Sequence, residues 1–180
     1  MNSEQTAVAS LTDGKTATIA KAAFLVATVV VSPLFLAQPV TGIFVNMALV
    51  LAAIFFGFGW ESLLLAAIPS LIALLRGQLP VAFAILVPFI MIGNAILVAS
   101  IATVQQKYGK YVLSVAIGSL LKAAFLALVA FTAAGTIFSG TPLAATVVTM
   151  FGWLQLLTAL GGSALAYPLI RLSKRVFPKS

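Results

Sequence analysis

Four polar side chains interrupt long apolar runs of this sequence and could bind a ligand there: Asn46, Asn94, Lys122 and Gln155. Ionisable and amide groups in hydrocarbon are expensive and mark binding or translocation sites by default. Lys122 follows Tyr111 by about eleven residues, which at 1.5 Å per helical residue is about 17 Å, near a bilayer midplane. A lysine at that depth cannot easily snorkel to a head group. One reading makes it a cavity cation for a substrate carboxylate or phosphate. The other makes it a packed lysine capped by helix-end carbonyls or water. The amides could contact a ligand or clip neighbouring helices together. With Lys122 they are expected to form one polar pocket, with Asn46 near the outer end of its span.

Other chemistry is scarce. The chain has no cysteine and no histidine, and its three carboxylates are Glu4, Asp13 and Glu61. No thiol chemistry, Cys/His metal site or nucleophile–base pair can be built from that set. No Walker A motif is present, and no carboxylate or histidine falls inside an apolar run to relay protons. The chain is therefore expected to have no catalytic residues, no metal and no cofactor of its own. It is read as a non-enzyme.

The elements that must hold those side chains follow from composition. Of 180 residues, 62% are hydrophobic and 7% are charged, with a mean hydropathy of +1.20. Soluble domains carry about 25% charged residues, so this chain cannot cover a water-facing surface. A crossing helix needs about 20 apolar residues. Six apolar runs are read: 19–37, 42–58, 62–75, 80–104, 111–134 and 143–170. The third is short and contains Pro69. The fold expected is an all-α bundle of six transmembrane helices over 19–170. A mobile tail over 1–18 precedes it and a basic tail over 171–180 follows it. A cleaved signal peptide is the competing reading of Lys15 and Lys21 before the first run.

Lysine and arginine placement sets the orientation. Lys15, Lys21, Lys107, Lys110, Arg171, Lys174, Arg175 and Lys179 fall on one side of a six-span arrangement, and Arg76 falls on the other. Both termini are expected in the cytoplasm, with Gln38–Thr41, Arg76–Leu79 and Gly135–Pro142 as outward loops. The net charge of +7 is thus assigned to cytoplasmic loops rather than to nucleic-acid binding. Ala23 and Ala27 form a small-xxx-small pair that admits a close helix partner. Gly161-Gly162 could be a hinge or a close-packing point.

The arrangement resembles the S components of energy-coupling factor (ECF) importers, the membrane subunits that bind vitamins and micronutrients in bacteria. The resemblance rests on Thr41-Gly42-Ile43-Phe44-Val45-Asn46, on Pro69, on Val87-Pro88-Phe89-Ile90-Met91-Ile92-Gly93-Asn94-Ala95 and on Leu120-Leu121-Lys122-Ala123-Ala124-Phe125. It covers about Ala20 to Arg171. It implies a multi-pass protein of the bacterial cytoplasmic membrane with an outward-opening substrate pocket. It further implies a vitamin-like ligand, a coupling membrane protein docked through Ala23 and Ala27, and two ATPase subunits, and Lys122 points to an anionic or carboxylate-bearing ligand. The alternatives are a structural multi-span scaffold and a stand-alone small carrier or channel.

Overall fold

A computed structural model describes residues 16, 18–32 and 38–176. The expected tail over 1–18, save Thr16 and Thr18, lies outside the described residues. So do positions 33–37 of the first run, and Lys179. Among the described residues the chain is all-helical. The helices are α1 (Thr18–Ser32), α2 (Gln38–Phe55), α3 (Trp60–Leu75), α4 (Val87–Tyr108), α5 (Tyr111–Gly135), α6 (Leu143–Phe151) and α7 (Trp153–Val176). A 3-10 turn over Val81–Leu86 leads into α4. Four segments are long and apolar enough to cross a membrane: Gln38–Phe55, Val81–Tyr108, Tyr111–Gly135 and Leu143–Arg175. Thr18–Ser32 and Trp60–Leu75 are shorter apolar helices. These segments fit a membrane-embedded protein.

Three boundaries differ from the sequence reading. Gln38–Thr41, expected as a loop, forms the first turn of α2. Pro39 suits that place, because a first-turn residue has no intrahelical use for its N–H. Asn46 consequently lies two turns inside α2 rather than near its end. The last apolar run is broken at Gly152 into α6 and α7. A Cβ on Gly152 would run into the Val148 carbonyl oxygen, so the break requires glycine. Arg171, Lys174 and Arg175, expected in a tail, extend α7 instead. Cations there complement the negative C-terminal pole of the helix.

The bundle centres on α2, which packs against α7, α4 and α3, and on α5, which packs against α4, α6 and α7. One core joins Leu25 and Val29 of α1 to α2 residues Leu49 and Val50 and to Leu97 and Ile101 of α4. A second core gathers Leu126 and Ala130 of α5 around three phenylalanines. Phe83 meets Phe138 and Phe151 edge-on, with ring centroids 5.2 and 6.0 Å apart. Lys21 sits over the Phe55 ring, and Tyr111 donates to the Ser163 carbonyl at 2.6 Å. The start of α1, the ends of α2, α4 and α7 and the start of α5 thus share one end of the bundle. That end carries Lys21, Lys107, Lys110, Arg171, Lys174 and Arg175.

Glycine brings two helix pairs into close approach. A Cβ on Gly162 would stand 2.6 Å from the Ile43 carbonyl oxygen and the Met47 nitrogen, and 2.8 Å from Asn46 Cβ. A Cβ on Gly118 would meet Ile101 at 2.8 Å and the Leu97 carbonyl at 3.2 Å. Of the two roles open to Gly161-Gly162, close packing is the one observed at Gly162. We predict that Gly162→Ala, which must push α7 off α2, lowers stability by about 1–3 kcal/mol. Gly135→Ala meets open space at the end of α5 and should be neutral or mildly stabilising. Thermal unfolding in detergent compares the two.

Candidate functional site

Lys122, in the middle of α5, is 2% exposed. Its ammonium nitrogen donates to Asn46 Oδ1 of α2 at 2.6 Å and to Asn94 Oδ1 of α4 at 2.7 Å. Three of the four polar residues singled out in the sequence therefore meet at one point. The lysine is held by side-chain amides from two neighbouring helices, not by helix-end carbonyls.

The amides are oriented by their other ends. Asn46 Nδ2 donates to the Gly42 carbonyl at 2.8 Å and to Thr158 Oγ1 of α7 at 3.2 Å. Asn94 Nδ2 donates to the Ala66 carbonyl of α3 at 2.9 Å. An amide has one acceptor and one donor end. With both NH₂ groups facing carbonyls, both oxygens must face the lysine. Pro69 lacks the N–H that would close on the Leu65 carbonyl, and the neighbouring Ala66 carbonyl of α3 accepts from Asn94. The network thus reaches α2, α3, α4, α5 and α7 through one ammonium group.

Beside it is a cavity of about 90 Å³, with Thr41, Ser70, Gln78, Gln155 and Thr158 in its wall together with the three central residues. Apolar side chains complete the wall, among them Val45, Ile90 and Leu154. It lies at the end of the bundle where α2 begins and α3 ends, opposite the basic end. Gln155, the fourth residue expected in the pocket, lines the cavity without reaching Lys122. Its Nε2 donates to the Met150 carbonyl at 3.0 Å, bridging the break between α6 and α7. Ser70 is 4% exposed, and its buried hydroxyl has no hydrogen-bond partner among the described residues. Ser70 and Thr158 were not picked out from sequence. The signal available was a hydroxyl directly after Pro69 and one three residues beyond Gln155.

Ala23 and Ala27 are exposed on α1, whose Leu25 and Val29 face the core. Trp153 is also exposed, on the outer side of α7. Among the described residues no group of histidine, cysteine or carboxylate side chains could hold a metal ion. Comparison with protein-family models, with curated proteins and with solved structures finds no match.

The arrangement can do two things chemically. It offers a buried cation to a ligand, and it locks five helices around that cation. Removing one partner of a buried hydrogen bond costs about 1–3 kcal/mol, because the other is left unsatisfied. Lys122→Met and Asn94→Leu should each lower the unfolding midpoint. The double variant should be more stable than the sum of the two losses by about 1 kcal/mol, since neither partner is then stranded. A double-mutant cycle by thermal unfolding in detergent measures this coupling.

Proposed function

We propose that this chain is a substrate-binding membrane subunit of an ECF-type importer, taking a small water-soluble micronutrient from outside the cell and delivering it inward. The observation that carries the reading is the cavity beside Lys122, Asn46 and Asn94. A polar cluster in an apolar bundle, open to a cavity and built from several helices, is how membrane proteins hold polar solutes.

Charge supports the direction of capture. Basic residues gather at the end away from the cavity, and cytoplasmic loops carry the excess of lysine and arginine. On this rule the basic end faces the cytoplasm and the cavity lies in the outer half, with six crossings and both termini inside. The protein would belong to a bacterial cytoplasmic membrane. The short motifs around Asn46, Asn94 and Lys122 that resemble S components contain the very residues that converge. Power would come from a coupling membrane protein and two ATPases, with Ala23 and Ala27 on the exposed side of α1 as the docking pair.

A second reading has its own observation. Both amides on Lys122 are fully oriented by carbonyl and hydroxyl partners, as a purely structural clip would be. In that case the chain is a structural multi-span scaffold.

Affinity purification of the tagged chain from its native membrane separates these readings. The importer reading predicts co-purification with a second membrane protein and two ATPases. Ala23→Leu with Ala27→Leu should abolish that complex while leaving the unfolding midpoint of the isolated chain unchanged. A chain that never associates with an ATPase, and whose Ala23 and Ala27 variants behave as wild type in growth and assembly, contradicts it.

A further inference from the structure

The cavity beside Lys122 constrains the ligand more tightly than the general reading does. The cavity measures about 90 Å³. Pockets for drug-sized ligands run about 300–1,000 Å³. The molecule that fills this space is compact.

Charge gives its sign. Glu61 is the one acidic residue among the described residues, and it is exposed at the start of α3. No described carboxylate therefore balances Lys122. An ammonium has three N–H donors, and among the described residues Lys122 has two acceptors, the oxygens of Asn46 and Asn94. One donor remains.

Two further features favour an acceptor group in the cavity. The buried Ser70 hydroxyl lines it and has no partner among the described residues. A hydroxyl left unpaired in an apolar interior is costly, and such groups in native structures call for an explanation. The break at Gly152 also lies in the cavity wall, with Met150 and Phe151 before it and Leu154 and Gln155 after it. The first turn of α7 accordingly begins at the site. A helix start carries unsatisfied N–H groups and a partial positive charge. Lysine, hydroxyl and helix start all complement a negative acceptor.

The rest of the wall decides between anions. Val45, Leu79, Ile90, Met150, Phe151 and Leu154 are apolar. They match a hydrocarbon body, which a bare inorganic ion lacks, beside the polar wall of Thr41, Gln78, Gln155 and Thr158. A dianion would bring a second charge, and among the described residues of the wall Lys122 is the only cation to meet it.

We infer that the site binds a compact monocarboxylate, of acetate-to-butyrate size, whose carboxylate accepts from the third N–H of Lys122 and from the Ser70 hydroxyl. The inference deepens the substrate-binding reading and rests on the cavity being a substrate site. It does not depend on the ATPase module.

The test is thermal unfolding of the full chain in lipid nanodiscs, titrated with sodium propionate. Propionamide, of the same shape but neutral, and sodium chloride serve as comparisons at matched ionic strength. Propionate is expected to raise the midpoint saturably, and the other two are not. Ser70→Ala removes an unpartnered hydroxyl, so the ligand-free midpoint should hold or rise, while the propionate concentration for half-effect rises about tenfold, the loss of one hydrogen bond to a charged group. Lys122→Gln should abolish the response. Because Lys122→Gln also disturbs the bundle, Ser70→Ala carries the decision if that variant does not fold.

The inference is overturned if folded wild type shows no response to propionate, or if propionamide or chloride matches it. It is equally overturned if Ser70→Ala responds as wild type does. A propionate response in a chain that never binds an ATPase would leave the inference standing and sink the importer reading alone. An ATPase-associated chain that takes up only a neutral solute would do the reverse.

Discussion

A lysine in the middle of an apolar bundle must find acceptors, and the rest of this structure is arranged around that requirement. Lys122 sits too deep in α5 for its side chain to reach water easily. Its acceptors have to come from neighbouring helices, and they do, from Asn46 on α2 and Asn94 on α4. Each amide then needs a place for its NH₂ group. Those places fix α3 through the Ala66 carbonyl and α7 through Thr158. Helix–helix association in lipid has little hydrophobic drive of its own, so a polar network of this reach gives the bundle a specific register.

Close backbone approach makes that network possible. Asn46 lies where α2 and α7 nearly touch, and Gly162 is the residue that allows it. Gly93 and Gly118 do the same between α4 and α5, where their missing Cβ atoms leave room for Leu126 and Ile101. The packing of small residues and the hydrogen bonding of amides are thus two parts of one arrangement. The cavity is what remains where the network meets the proline-containing α3 and the interrupted α6–α7. Among the described residues its Ser70 hydroxyl has no partner, so packing here stops short of full internal satisfaction.

Much of this was legible in the sequence because hydrocarbon leaves so few polar positions to interpret. Six apolar runs appear as apolar helical segments, and Lys122, Asn46 and Asn94 meet in the one polar cluster expected of them, although the sequence reading placed Asn46 near the outer end of its span. Rotation about each helix was not legible, so Gln155 could not be separated from the lysine's true partners, nor Ser70 recognised as part of the wall. The α6–α7 break was hidden because Gly152 sits in an unbroken apolar stretch. Hydropathy does not sense a backbone that leaves helical geometry. The start of α2 was misread because Gln38-Pro39 looks like a loop signal, yet proline is also a natural first-turn residue. Arg171, Lys174 and Arg175 read as a tail by charge, although charge alone does not end a helix.

The measurement closest to the centre of this account is magic-angle-spinning NMR of the chain in lipid bilayers, labelled with ¹⁵N at lysine Nζ and ¹³C at asparagine. Asn2, Asn46 and Asn94 are the three asparagines of the sequence. A buried lysine bridged by two amides predicts through-space transfer from one lysine Nζ to two asparagine Cγ signals, both vanishing in Lys122→Met. A folded chain in which no lysine Nζ transfers to asparagine would contradict the account at its core.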